Sequence, residues 1–410
     1  MDALKAKPRI LIVGDAASVH TARFCMMVKS IGYDFRLFSN AANSYQDGLL
    51  HDTIVYCQIF TSVPHNGNTL VLAWPIPVSF RKPLMSAVGY WQRITRYFYK
   101  RSRAKYALRR TINSWKPDLI ISLKMQDDGY VCDEAFNIMP TFPHWLHFTW
   151  GTDIEYFGRA PEQRHIHLPQ ITSLLSHCHY HIADTLRDIE AAKALGFKGH
   201  SFGRQVAQGG FDLPAFVVPR ARPHYARKVI LVKGRQGGHI GQGMRIIEAL
   251  HELRDELREF DIKIILATPN VIEKCREYSA ADGRLYECCK FADHDDLMAL
   301  FSQARITISA TDVDGTPAFL LESMAMGALP VHSRMASIEE WVENGTNGLL
   351  FEVDDHTALK AAILRGVTGA PLFERARARN WELMQQYADK KAICQSTKTI
   401  IDSILAAGQS

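Results

Sequence analysis

TDVDGTPAFLLESMAMGALPVHS, residues 311–333, follows the apolar run RITISA at 305–310 and changes character three times. An acidic loop ends the run, Thr316-Pro317 opens a helical pattern that stops near Gly327, and an apolar run then resumes through Pro330 and Val331. Strand, helix and strand in that order make a βαβ unit, which implies a parallel sheet with helices on its faces. Thr is a favoured N-cap and Pro at the first helical position loses no needed hydrogen bond, so the helix is expected to start at 316–317. The N–H groups of Ala318 and Phe319 then lack intrahelical acceptors and sit at the positive end of the helix dipole, an anion site suited to a phosphate. Asp314 precedes this helix and Glu322 lies inside it, with seven residues between them. In the second turn, Glu322 is near enough to accept hydrogen bonds from hydroxyls of a ligand whose phosphate sits at the helix tip.

The same alternation continues on either side. VILVKG (229–234) and IKIILAT (262–268) read as strands buried on both faces, with helical patterns at 243–258, 269–278 and 294–303. The proline- and arginine-bearing PAFVVPRARPHYARK (214–228) reads as a connector. Before it, a strand at 9–13, a helix over 19–29 and strands at 34–38, 118–122 and 144–150 repeat the pattern, with a helix through 184–196. The chain is therefore expected to be α/β, with doubly wound domains at 1–215 and 222–385 and a helical tail at 386–410. Ligands of such sheets bind in the crevice at the carboxyl ends of the strands. One glycine-rich loop, VKGRQGGHIGQGM (232–244), begins at such an end. Gly234, Gly237 and Gly238 would let backbone N–H groups approach a phosphate, with Lys233 and Arg235 supplying positive charge.

Composition excludes several classes. With 47% hydrophobic and 22% charged residues over 410, the chain is neither disordered nor fibrous. No stretch reaches the eighteen or so apolar residues that a membrane span needs. The start lacks the long apolar run and cleavage site of a secretory signal, so a cytoplasmic location is expected. Eight scattered cysteines without a CxxC pair point to reduced thiols. A net charge of +5 is too mild to argue nucleic-acid binding.

Beginning at Asp314, DGTPAFLLESMAMGALPVHS, followed by IEEWVENGTNGLLFEVDD (338–355), resembles the glycosyltransferases of family 4, retaining enzymes of the GT-B fold. Their signature is two acids spaced by seven residues, a glycine and Pro-Val strand, and a Gly-x-Asn-Gly-Leu turn. The resemblance implies a GT-B fold of two Rossmann-like domains facing a cleft. The first would bind the acceptor, the second a nucleotide-diphosphate sugar, and the C-terminal helix would return to the first. It implies that Asp314 contacts the transferred sugar and Glu322 the ribose hydroxyls. Gly315, Thr316, Pro317, Ala318 and Phe319 would surround the donor phosphates, and Phe291, in KFADHDDL, would lie where the family contacts the base. GDAASVH (14–20) resembles the family's first-strand loop, which places Gly14 near the donor and His20 near acceptor or sugar. HFTWGTDIEYF (147–157) resembles a Trp-Gly-Ser-Asp segment, placing Asp153 on the sugar or acceptor side. QGGFDLP (208–214) resembles the turn that ends the family's first domain. Two departures stand out: the first acid is Asp rather than Glu, and Gln242 occupies the place of a phosphate-binding lysine.

The implied function is retaining transfer of a sugar from a nucleotide-diphosphate sugar to a hydroxyl of a saccharide or lipid-linked acceptor, in bacterial surface glycan assembly. No metal, protein nucleophile or further cofactor is implied. The basic and aromatic run YWQRITRYFYKRSRAKYALRRTINSWK (90–116) has the pattern of an interfacial helix on anionic lipid, or of an amphipathic helix packed on the sheet. His177, His179 and His181 alternate as a metal site on a strand would, though satisfied or exposed histidines are the commoner outcome. A dinucleotide oxidoreductase would want GxGxxG after the first strand, and GDAASVH lacks the second and third glycines. Epimerases of the same fold lack the 311–355 signature, and a non-catalytic nucleotide-sugar-binding protein is the remaining alternative.

Overall fold

The computed structural model describes residues 7–40, 47–50, 53–57, 60–63, 69–72, 99–207, 209–237, 241–290 and 293–408. The chain divides into two compact units, Met1–Gly209 with Lys391–Ser410, and Gly210–Lys390.

The first unit holds strands β1 (Arg9–Val13), β2 (Asp34–Ser39), β3 (Val55–Cys57), β4 (Phe60–Val63), β5 (Thr69–Leu72), β6 (Leu119–Leu123), β7 (His144–Thr149), β8 (Tyr180–Ala183) and β9 (His200–Arg204). They form one sheet in the order β5-β4-β3-β2-β1-β6-β7-β8-β9. β1 and β6 are the central pair, and their apolar runs are buried on both faces as parallel strands require. The antiparallel edge β3-β4-β5 was not expected: its strands are only three or four residues long, and no helical pattern separates them. Helix Tyr99–Trp115 buries Ala104, Leu108, Ile112 and Trp115 and turns Tyr106, Arg109 and Arg110 to solvent. Its apolar side is thus spent on the core; residues 90–98 of the basic run lie outside the described residues. The terminal helix Lys390–Ala407 contributes Thr397, whose hydroxyl accepts from Gln205 at 2.5 Å, and Asp402, which accepts from the Tyr33 hydroxyl at 2.6 Å.

The second unit contains β10 (Val229–Lys233), β11 (Asp261–Ile265), β12 (Tyr286–Cys288), β13 (Ala304–Ser309), β14 (Leu329–Ser333) and β15 (Leu349–Phe351). All pair in parallel, in the order β12-β11-β10-β13-β14-β15. Strand order reverses between β10 and β13, the switch point where open α/β sheets bind ligands. The stretch 214–228 is packed rather than free. Arg227 is fully buried, and its guanidinium donates to the carbonyls of Arg220, Arg222, Phe301, Ala304 and Met326. Five carbonyls in place of a carboxylate satisfy the fork while tying this segment to the sheet and to the end of the helix after β13.

Among the described residues no helix is long and apolar enough to cross a membrane. Cys25, Cys132, Cys178, Cys275, Cys288, Cys289 and Cys394 are free, and burial pushes the thiols of the first three well up.

Candidate active site at the switch point of the second sheet

β10 ends on Lys233 and β13 on Ser309, so the loops that follow both strands meet at the switch point. After β13 the chain runs through 310–317 into helix Ala318–Ala325. The helix starts one residue later than expected: Pro317 is the N-cap and no side chain caps it. Thr316 instead accepts a hydrogen bond from the Trp341 indole at 3.3 Å, which ties the loop to the following segment. The Pro317 carbonyl accepts from Leu320 and Leu321, so the Ala318 and Phe319 amides precede the first intrahelical bond. The Phe319 ring is buried against Phe301, so only its backbone is available to a ligand.

Both acids of the x7 pair meet a base. Lys233 Nζ lies 3.6 Å from Asp314 Oδ2, with both side chains mostly buried. Asp314 is held further by the Gly315 amide, which donates to Oδ1 at 2.9 Å, and by Ser337, which donates to its carbonyl at 2.9 Å. Glu322 is buried, and His294 Nε2 donates to its Oε1 at 2.9 Å. His294 opens helix His294–Gln303, capped by Asp293, and was not singled out from sequence. A histidine directly after an N-cap aspartate, beside the expected base-contacting loop, was the available signal.

A buried base, His332, was also missed. Ser309 and His332 are paired neighbours on β13 and β14, and Lys233 ends β10 one residue past the Val232–Ile308 pairing. His332 gives its Nδ1 proton to the Ser333 carbonyl at 3.0 Å, which leaves Nε2 a lone-pair acceptor; Nε2 and Ser309 Oγ are both buried without a hydrogen-bond partner among the described residues. Burial brings the imidazole down to about 4, so it is neutral beside the Lys233–Asp314 pair. A histidine inside the apolar run ALPVHS was the visible anomaly.

The glycine-rich loop works differently from the expectation. The Gly234 amide donates to the Ile265 carbonyl, that of Gly237 to Gly241 and that of Gly243 to Arg235. These amides are therefore committed to the protein rather than free for a phosphate. The glycines are needed because the loop folds tightly on itself: a Cβ at Gly241 would strike the Arg235 carbonyl and one at Gly243 the backbone of Gly234, while Gly237 sits at φ +125. Gln242, in place of the lysine, donates to Asp312 at 2.9 Å and joins this loop to the one after β13. The side chain of Arg235 is exposed, which leaves it available to an anion. Gly238 and Phe291 lie outside the described residues.

In the first unit the expected contacts turn inward. Asp153 is buried, and its Oδ2 accepts from the Met125 amide at 2.8 Å and the Trp150 amide at 2.9 Å. It pins the loops after β6 and β7 together, which corrects its reading as an acceptor contact. Gly14 donates its amide to the Phe38 carbonyl, and a Cβ there would strike Thr21, so packing accounts for it. His20 stands edge-on to Trp150 at 6.5 Å, beside that loop. The three alternating histidines do not share a strand face. His177 ends a helix and pairs with Asp133 at 2.7 Å, His179 accepts from the Trp145 amide at 3.1 Å, and only His181 lies in β8, against Thr149 at 2.8 Å. Among the described residues no cluster of three or more His, Cys, Asp or Glu side chains is arranged to hold a metal.

Comparison with known proteins finds likeness in the segment that holds these residues. Residues 227–368 match the family model described as glycosyl transferases group 1, which spans the switch point and both acids. The amylovoran biosynthesis glycosyltransferase AmsK of Erwinia amylovora is 32% identical over 112 residues, 24% of this chain and 28% of that protein. The chain thus aligns to under a third of that relative's length. Over nearly the whole chain, the fold is that of GT-B structures. A sucrose-phosphate synthase from Thermosynechococcus elongatus superposes with a TM-score of 0.71 at 16% identity, covering 98% of this chain and all of that one. HepE of Anabaena, solved in complex with UDP and glucose, gives 0.66 at 15% identity over 97% of this chain and 100% of its own.

Proposed function

We propose that this chain, whose residues 227–368 match the family model of glycosyl transferases group 1, is a glycosyltransferase that moves a sugar, with retention, from a nucleotide-diphosphate sugar to a hydroxyl acceptor. The observation that carries the reading is the pair of acid–base contacts at the switch point, Lys233 against Asp314 and His294 against Glu322, with Arg235 exposed on the loop after β10, all within the matched segment. Breaking the sugar–phosphate bond leaves negative charge on the diphosphate. Preorganised cations and amides aimed at that charge lower the barrier. Lys233, Arg235 and the amides of Ala318 and Phe319 fill this role, so no metal ion is needed. Glu322 receives the ribose hydroxyls and Asp314 the transferred sugar. The donor phosphate takes the acceptor proton on the face from which it leaves, so no protein nucleophile is invoked.

The acceptor is a saccharide or a lipid-linked saccharide of a bacterial surface glycan, a reading supported by the likeness to an amylovoran biosynthesis enzyme. The outward face of helix Tyr99–Trp115 carries Arg109 and Arg110 and suits weak electrostatic contact with an anionic membrane at the cytoplasmic face.

The test is turnover of uridine, guanosine and adenosine diphosphate sugars with EDTA present, read as nucleoside diphosphate release, with anomeric configuration of the product assigned by NMR. Release from one donor, lost in Glu322→Ala, is expected. Turnover that needs an added divalent metal, or a product of inverted configuration, would overturn the mechanism. Binding without release from any donor in the presence of acceptor extracts would reduce the chain to a binding protein.

A further inference from the structure

We infer that His294 is a positioning residue for nucleotide recognition, acting through Glu322; this rests on the reading of Glu322 as the ribose-binding acid. Glu322 lies in the second turn of helix Ala318–Ala325, and its side chain is only 8% exposed. A carboxylate so placed is costly unless a donor satisfies it. Among the described residues its hydrogen-bond partner is His294, whose Nε2 donates to Oε1 at 2.9 Å from the first position of the neighbouring helix. Because a carboxylate only accepts, that bond assigns the proton to Nε2 of His294.

The bond has a direct consequence for a ligand. A free glutamate would have to be immobilised when a ribose binds, and ordering a flexible side chain weakens association. His294 orders it beforehand: Oε1 is tethered from one side, which fixes the carboxylate plane and leaves Oε2 and the second lone pair of Oε1 for two hydroxyls. The side chain of His294 is 36% exposed, so the tether is not itself a core packing element. Its aspartate cap, with Asp293 accepting from the Asp296 amide at 2.9 Å, holds the helix start that carries it. The recognised group is therefore a vicinal diol, and preference for ribose over deoxyribose should depend on a residue that need not touch the sugar.

The experiment uses the full chain and calorimetric titration with UDP, GDP and ADP, and then with the 2′-deoxy form of whichever binds tightest. The wild type should favour the ribose form by roughly tenfold, the scale of one hydrogen bond to a charged acceptor. His294→Leu should reduce that preference to about threefold or less. His294→Gln, whose amide can still donate, should restore most of it. Adding His294→Leu to Glu322→Ala should cause no further loss, because the histidine acts only through the acid. An unchanged ribose preference in His294→Leu overturns the inference and leaves the donor site standing. No nucleotide binding by a folded wild type overturns both. Thermal melts of each variant separate misfolding from lost recognition, since a misfolded chain loses all nucleotide affinity rather than the preference between two sugars.

Discussion

Each unit has a switch point, β1 against β6 in the first and β10 against β13 in the second, and the two are furnished in opposite ways. At the second, charge is paired but near the surface, and Arg235 is exposed on the loop that Gln242 joins to the one after β13. At the first, charge is folded into the protein. Lys124 lies 3.5 Å from Asp128 and within the fields of Asp15, Asp127 and Asp153. Burial pushes the Asp128 carboxyl up to about 7 against the pull of Lys124, and Asp153 up to about 8 despite two backbone donors. Lys124 and Asp127 also adopt left-handed backbone conformations, at φ 58 and 67. The lesson is that an equivalent topological position does not make an equivalent site. The first edge uses polar groups to hold loops in place, whereas the second holds a cation and helix amides where an anion can reach them.

Crossed substitutions test that contrast most strongly. Asp153→Ala strands the buried Met125 and Trp150 amides, and should cost about 3 kcal/mol of folding stability by denaturant titration. Affinity for nucleotide should stay within about twofold of wild type, because sites without shared partners act independently. A large loss of affinity would show that the first edge is wired to recognition after all.

Lys233→Ala should do the reverse. It removes the charge nearest Asp314 and one of the cations assigned to the diphosphate, so affinity for a nucleoside diphosphate should fall about ten- to a hundredfold, as for a charge-assisted contact. Affinity for the bare nucleoside should barely move, and calorimetry with both ligands separates the two. The cost to folding should stay near 1 kcal/mol, since Asp314 keeps the Gly315 amide and is partly solvated. Equal losses with nucleoside and diphosphate would place Lys233 away from the phosphates.

Much of this contrast was legible in sequence, for reasons that differ by residue. Strands β1, β10 and β13 announce themselves because parallel strands buried on both faces must be continuously apolar. Asp314 and Glu322 stood out by their fixed spacing around a helix start, and the structure gives each a basic partner there. What escaped are features decided by tertiary partners. The Thr316 hydroxyl has the chemistry of a cap, yet it bonds Trp341, twenty-five residues on. Asp153 sits in a segment that resembles a ligand-contacting one, yet its acceptors face two backbone amides. Gly234 and Gly237 were read as openings for phosphate, yet their amides are closed by neighbouring carbonyls. In each case local sequence offers a group, and only the fold decides which partner takes it.

The first edge can also be isolated through pH. A carboxyl raised from its usual range to about 7 binds a proton in the folded chain that it has lost in the unfolded chain between about pH 4 and 7. Stability from that group therefore falls as pH rises through this window and is level above it. Asp128→Asn removes the slope. Its advantage over wild type should be absent near pH 4, grow as pH rises and level off past pH 7. A full burial shift corresponds to about 1.4 kcal/mol per pH unit. The value of about 7 already contains the attraction of Lys124, so the advantage of the asparagine should grow by about 2.5 kcal/mol between pH 5 and pH 8. His332 at the second edge has the opposite sign: brought down to about 4, it makes stability fall as pH drops from about 6.5 toward 4. Comparing Asp128→Asn and His332→Leu with wild type, by chemical denaturation at each pH, should give difference curves that diverge from opposite ends of the pH range. If both diverge only in acid, the carboxyl at the first edge is not held protonated, and that edge is less closed to water than its geometry requires.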